Sequence, residues 1–207
     1  MDKLLSGLGL YNWISMPVFI TPDPVELYGT VKLTYDEFQR IPYDGLGHHL
    51  VNGVHVVTPA PSVTHQQIIS RVFKHLVNYV EDNKLGSVLP LPVDVKFSKT
   101  DGYQPDLLFI DNSRSEIIEE RFVEGPPTLI IEVTSPESSR SDYGWKRDIA
   151  EKYKVAEYWV IDRTYKVVEV FNLTHAIKRT FALGDRIQSF LPMLENFVLN
   201  TKEIFVG

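Results

Sequence analysis

Residues 127–135 read PTLIIEVTS, an apolar run long enough for one strand and too short for a helix. Near-continuous apolarity, in place of strict alternation, describes a strand buried on both faces, so the rest of the chain has to supply a layer for each side. Period two places Ile130, Glu132 and Thr134 on one face and Leu129, Ile131 and Val133 on the other. Glu132 therefore stands among apolar neighbours. An unpaired carboxylate there costs several kcal/mol, since even a neutral polar group costs roughly 2–7, or it takes up a proton. The position needs a cation or a donor beside it.

The flanking segments supply the layers. Thr34 is placed to cap a short helix, YDEFQRI, which ends before Pro42 and the loop DGLG. HLVNGVHVV reads as a strand. From Ser62 to Leu85 the apolar residues Ile68, Ile69, Val72, Phe73, Leu76, Val77 and Val80 recur at three- and four-residue steps, the longest helix, with Ser62 as cap and Gly86 as stop. Residues 87–96 alternate and read as a strand, and QPDLLFI is a short strand entered through Pro105. After the central run come a helix, SDYGWKRDIAEKYKV, a strand, EYWVID, and an antiparallel hairpin of VVEVFNL and IKRTFAL turning around Thr174 and His175. Helix, strands, helix, strands is the order of an α/β or α+β protein with a central mixed sheet flanked by helices. An N-terminal arm is expected over residues 1–30 and a single domain over residues 31–207.

At 207 residues, 43% hydrophobic and 23% charged, the chain can bury a core without disulfides or a structural metal. It has no cysteine, which excludes thiol nucleophiles, thiolate metal sites and iron–sulfur clusters. H-E-x-x-H, P-loop, dinucleotide-binding and G-x-S-x-G patterns are also missing. The early apolar stretch LLSGLGLYNWISMPVFI is interrupted by Ser6, Asn12 and Ser15 and is too mixed to span a bilayer, so a soluble, cytoplasmic protein with no membrane contact is expected. A net charge of −6 argues against a broad phosphate-binding surface and confines any nucleic-acid contact to local basic spots around Lys146 and Arg147.

Asp106 stands at the mouth of the QPDLLFI strand, its backbone entry fixed by Pro105. If that strand pairs with the central one, Asp106 and Glu132 converge, and a hard divalent cation would relieve their repulsion. Equally, Asp106 could cap a turn and Glu132 could pair with a surface lysine. Lys146 lies four residues beyond Asp142. Spacing alone allows either an ordinary helical ion pair with it, worth ~0.3–0.5 kcal/mol, or an ammonium turned into the site to hold or deprotonate a water. A two-carboxylate glycoside hydrolase would need an aromatic-lined cleft between the acids. Tyr153, Tyr158 and Trp159 read first as core packing and second as base-stacking residues.

QPDLLFI, EGPPTLIIEVTSPES and DYGWKRDIAEKYKVAEYWVID, in that order and spacing, resemble the bacterial Uma-two group of restriction-endonuclease-like proteins in the PD-(D/E)XK nuclease superfamily, over residues 33–198. The resemblance implies a restriction-endonuclease-like core and a Mg²⁺- or Mn²⁺-dependent endonuclease acting on DNA. It assigns catalysis to Asp106, Glu132 and Lys146, and metal binding to Asp106, Glu132 and the carbonyl of Val133. The superfamily's usual lysine two residues after the acid is replaced here by Thr134, and Lys146 from the next helix takes its role, as in the group. Where the group carries acids ahead of the long helix, this chain has His49 and Asn52. His49 is then either a further ligand, biasing the site toward Mn²⁺, or structural. His65, matching a histidine common in the group, either approaches the site or bonds at the helix start. The alternative is a nuclease fold without turnover that binds nucleic acid or a protein partner. A homodimer is expected because an acidic chain needs help to hold DNA.

Overall fold

The computed structural model describes residues 32–42, 44–136 and 138–205, so the arm expected over residues 1–30 lies outside the described part. Thr34 opens the first helix, α1 (Tyr35–Phe38), with a reciprocal cap: its side chain accepts from Glu37 N, and the Glu37 carboxylate accepts from Thr34 N at 2.7 Å. The single strand expected over HLVNGVHVV is instead a hairpin, β1 (Gly47–Val51) and β2 (Val54–Thr58). Asn52 and Gly53 turn it with φ of 50° and 81°, the left-handed pair that a two-residue hairpin loop requires.

Helix α2 (Val63–Asp82) is capped by Ser62, whose hydroxyl accepts from His65 N. The strand expected over residues 87–96 divides into β3 (Gly86–Pro90) and β4 (Val95–Lys96), which belong to different sheets. Pro90 and Pro92 have no N–H to continue a ladder between them. Then follow β5 (Gly102–Tyr103), β6 (Leu107–Asp111), β7 (Val123–Glu124) and β8 (Leu129–Thr134), the last being the central apolar run.

One helix was expected next and there are two, α3 (Ser139–Tyr143) and α4 (Trp145–Lys152), divided at Gly144. Gly144 has φ −102° and ψ −116°, outside the helical region, and this backbone needs glycine because an added Cβ would lie 2.4 Å from the Arg140 carbonyl oxygen. Strands β9 (Glu157–Asp162), β10 (Val167–Asn172) and β11 (Ile177–Phe181) complete the main sheet, with the last two forming the expected hairpin. A small ribbon of β12 (Arg186–Ile187) and β13 (Leu199–Asn200), then α5 (Thr201–Phe205), close the described chain.

The main sheet runs β11-β10-β9-β8-β6-β3; β8 and β9 are parallel and the other neighbours antiparallel. One face packs Leu129, Ile131 and Val133 under the apolar stripe of α2, namely Ile68, Ile69, Val72, Leu76 and Val80. Each of those side chains contributes roughly 1.5–3 kcal/mol by leaving water. The opposite face packs Leu108, Ile130 and Val160 under Ile149 and Ala150 of α4 and against a second sheet, β2-β1-β5-β4-β7, through Val51, Val95 and Tyr103. The mixed α+β class expected from the sequence is thus the observed one, with a second sheet in addition. Among the described residues no helix is long and apolar enough to cross a membrane.

Candidate active site

Leu107 pairs with Ile131 in the antiparallel β6–β8 ladder, and the same register continued by one residue sets Asp106 across from Glu132 on the α4 side of the sheet. The expected convergence of the two strands is therefore present. Val133 N donates to Asp106 Oδ2 at 2.7 Å, and His65 Nε2, from the first turn of α2, lies 3.0 Å from the same oxygen. Val133 thus meets Asp106 through its amide. Burial pushes the Asp106 carboxyl up, but the hydrogen bond from His65, the charge of Lys146 and the Val133 amide outweigh it and hold the group below the ordinary carboxylate range.

Lys146 makes the helical ion pair that its spacing allowed and also turns toward the strand acid. Its Nζ lies 2.9 Å from Glu132 Oε2 and 2.8 Å from Asp142 Oδ1, so the ammonium is at once the helical partner of Asp142 and the counter-ion of the strand acid. Glu132 is 0% exposed, Asp142 1% and Lys146 7%, a charged cluster inside the core. Burial pushes the Glu132 carboxyl well up and the Lys146 charge pulls it back only in part, because Asp106 and Asp142 also press on it. Lys146 itself is held as an ammonium: burial disfavours the charge, and Asp142, Glu132 and Asp106 together more than compensate.

Among the described residues, Glu132 Oε1 and Asp142 Oδ2 of this cluster are buried with neither a hydrogen bond nor an ion pair. They bear on whether the residues fit a divalent cation. Formal charges of three carboxylates and one ammonium sum to −2, and the orphaned oxygens are hard donors of the kind Mg²⁺ and Mn²⁺ select. The donor set fits such an ion once the ammonium yields Glu132, although among the described residues no group of three or more His, Cys, Asp or Glu side chains is already drawn together as a metal cage.

The other candidates separate clearly. His65 belongs to the cluster through Asp106. His49 does not: its Nε2 meets Thr58 Oγ1 at 3.0 Å, and its ring packs on Trp145 and Tyr103. Burial first, then the Lys146 charge, drive its pKa well below the usual value, so it is a neutral core imidazole. Asn52 occupies the hairpin turn and donates its backbone N–H to Asp101 Oδ1 at 2.7 Å. Both departures from the group's acidic stretch therefore have structural tasks. Thr134, in the place of the usual lysine, is buried and bonds locally to Ser135 and Ser138. Tyr158 and Trp159 are fully buried, as core packing requires.

Two residues were not foreseen. Asp142 is a third acid of the cluster, and its signal was the i, i+4 step to Lys146 taken together with the cation that Glu132 needed. Tyr103, from the second sheet, has its ring centroid 6.0 Å from Lys146 Nζ, and its hydroxyl is buried without a hydrogen-bond partner among the described residues. Burial, reinforced by Glu132, keeps it a phenol. Two anchors fix α3 and α4 over the acids: Tyr158 Oη donates to the Asp142 carbonyl at 2.8 Å, and Asp101 accepts from Lys152 Nζ and Tyr153 Oη at the far end of α4. A shallow groove lined by Pro61, Val63, Gln66, Gln67, Ser70 and Arg71 runs along the exposed side of α2 and includes none of these acids.

The mixed sheet and its helix layer are also the fold of a solved neighbour. The solved structure of a protein described as a "putative nuclease belonging to DUF820", from Anabaena variabilis, superposes with a TM-score of 0.72 at 20% identity, over 84% of this chain and 97% of that one. Residues 35–202 match the Uma2 family, described as "Putative restriction endonuclease", and the chain belongs to that family. No curated protein matches it.

Proposed function

We propose that the chain is a metal-dependent endonuclease that hydrolyses phosphodiester bonds in DNA, with Asp106, Glu132 and Lys146 as its catalytic residues. The observation that carries this reading is the position of Lys146 Nζ, 2.9 Å from Glu132 Oε2 inside a carboxylate cluster that retains two unpartnered oxygens. Family membership supports nuclease chemistry in general; the substrate and the ion are part of the proposal.

Asp106 and Glu132 are the side chains that would hold Mg²⁺ or Mn²⁺, with the carbonyl of Val133 as a third oxygen. When bound, the ion supplies a water made acidic enough to attack phosphorus and neutralises charge on the phosphate. Lys146 remains an ammonium, so its part is to donate: it orients the attacking water and stabilises negative charge as it builds on the phosphoryl oxygens. His65 and the Val133 amide hold one Asp106 oxygen, which leaves the other to face the ion. Asp106 at 8% exposure and Lys146 at 7% keep the accessible surface of the cluster, so the phosphate approaches on their side. An acidic chain binds few phosphates by itself, and a second copy would widen the contact; light scattering that returns the dimer mass supports this, and the monomer mass removes it.

Incubation of the protein with supercoiled and single-stranded DNA in the presence of Mg²⁺ or Mn²⁺ tests the function. Cleavage by the wild type that needs the ion and disappears in Lys146→Ala is the expected result. DNA binding without cleavage under every ion would instead identify a fold that has kept its charge cluster and lost turnover.

A further inference from the structure

We infer that Asp142 is a positioning residue for Lys146: it holds the ammonium when Glu132 gives up its share, so that a divalent cation can join the cluster without expelling the lysine. This rests on the reading that Asp106 and Glu132 take the cation.

Asp142 is a buried acid, 1% exposed, whose one ion-pair partner among the described residues is Lys146. An exposed pair at this spacing stabilises a helix by only a few tenths of a kcal/mol, and a buried pair is often no more stable than apolar residues of the same volume. Fold stability alone therefore gives a weak account of an aspartate here. Lys146 Nζ sits almost equally far from its two acids, 2.8 Å from Asp142 and 2.9 Å from Glu132. The two partners differ in what else they face. Glu132 stands across the ladder from Asp106, whereas Asp142 comes from α3, beyond the Gly144 break, with its carbonyl pinned by Tyr158 Oη. Among the described residues Oδ2 of Asp142 is buried without a hydrogen-bond partner, so this carboxylate can accept a second ammonium hydrogen bond when Glu132 releases one. The transfer is a short swing of one side chain between two fixed acceptors. It keeps the positive charge beside the reacting phosphate and leaves the cluster at a formal −2 for the incoming ion.

With Asp142 neutral, the ammonium has Glu132 as its remaining buried carboxylate contact, and the cation has to compete with it. Mn²⁺ binding, followed by the loss of the free-ion EPR signal, tests this in wild type, Asp106→Asn, Asp142→Asn, Lys146→Met and the double variant Asp142→Asn/Lys146→Met. The expected result is Asp106-dependent binding in the wild type, a Kd raised at least about tenfold in Asp142→Asn, and a double variant that binds as tightly as Lys146→Met alone. The double variant is read against Lys146→Met alone: if Asp142 acts through Lys146 the two bind alike, whereas a direct effect of the Asp142 charge on the ion, or a folding role, weakens the double variant relative to Lys146→Met by the same factor that separates Asp142→Asn from wild type. An unchanged Kd in Asp142→Asn, or a double variant weaker than Lys146→Met by the factor that separates Asp142→Asn from wild type, overturns the proposal while the metal site stands. Absence of Asp106-dependent binding in the wild type overturns both. A Mn²⁺-loaded wild-type crystal gives an independent check should a variant fail to fold: Lys146 Nζ is expected on Asp142 and off Glu132, and Nζ still on Glu132 contradicts the transfer.

Discussion

Continued one step past the Leu107–Ile131 pair, the β6–β8 register sets Asp106 opposite Glu132, and the Asp106 charge presses on the Glu132 carboxyl. Loop motion cannot relieve that proximity. It is relieved by what surrounds the acids: His65 and the Val133 amide on Asp106, and Lys146 on Glu132.

Removing the lysine should be costly before any chemistry is measured. Lys146→Met leaves Glu132 and Asp142 buried without their counter-ion, a loss of the order of 3–5 kcal/mol in the metal-free protein. Urea denaturation should show that loss and its partial recovery with saturating Mn²⁺, since an ion that binds only the folded state stabilises it. DNA cleavage should fall by about 10²–10³-fold, the typical loss of a transition-state donor.

His49 sets a pH dependence of stability. Its folded pKa is depressed well below the ordinary 6.5 by burial and then by the Lys146 charge, so below that value the unfolded chain binds the extra proton. The stability it confers is fully present above pH 6.5 and is lost as the pH falls from there toward the folded pKa. Denaturation midpoints of His49→Gln, compared with wild type between pH 8 and pH 5, should show a flatter acid limb at a lower plateau.

Gly144→Ala should destabilise the joint between α3 and α4. The added methyl would lie 2.4 Å from the Arg140 carbonyl oxygen, and relieving the clash has to move backbone. A loss of about 1–3 kcal/mol follows from overpacking, readable as a lower urea midpoint at unchanged m-value. Because Asp142 and Lys146 lie on opposite sides of the joint, cleavage should drop more than stability explains.

Asp101→Asn tests the anchor at the other end of α4. Asp101 accepts from Asn52 N, Lys152 Nζ and Tyr153 Oη, joining the β1–β2 turn to the helix. Lys152 is half exposed and adds little, so the expected loss, about 1.5–3 kcal/mol by thermal or urea unfolding, comes from the buried donors.

Much of the framework was written in periodicity. The stripe of α2, the two-sided apolarity of β8 and the β10–β11 hairpin formed where the spacing put them. The misses share a cause, local backbone chemistry overriding an apolar pattern. Asn52–Gly53 folds a hairpin inside what reads as one strand, and Gly144 breaks what reads as one helix. For the site, the need of Glu132 for a cation was legible from its neighbours alone. That Lys146 would serve Glu132 and Asp142 together was not, because the spacing of residues 142 and 146 is also that of a commonplace surface pair. Tyr103 left no sequence signal, since only the packing of the second sheet on the first carries it to Lys146.

The most direct test of the central claim is anomalous diffraction from crystals soaked in Mn²⁺. A single peak is expected between Asp106 and Glu132, at about 2.1–2.2 Å from one oxygen of each, with Lys146 displaced from Glu132. A map with no peak there, and the ammonium still bonded to Glu132 at saturating ion, would contradict that claim.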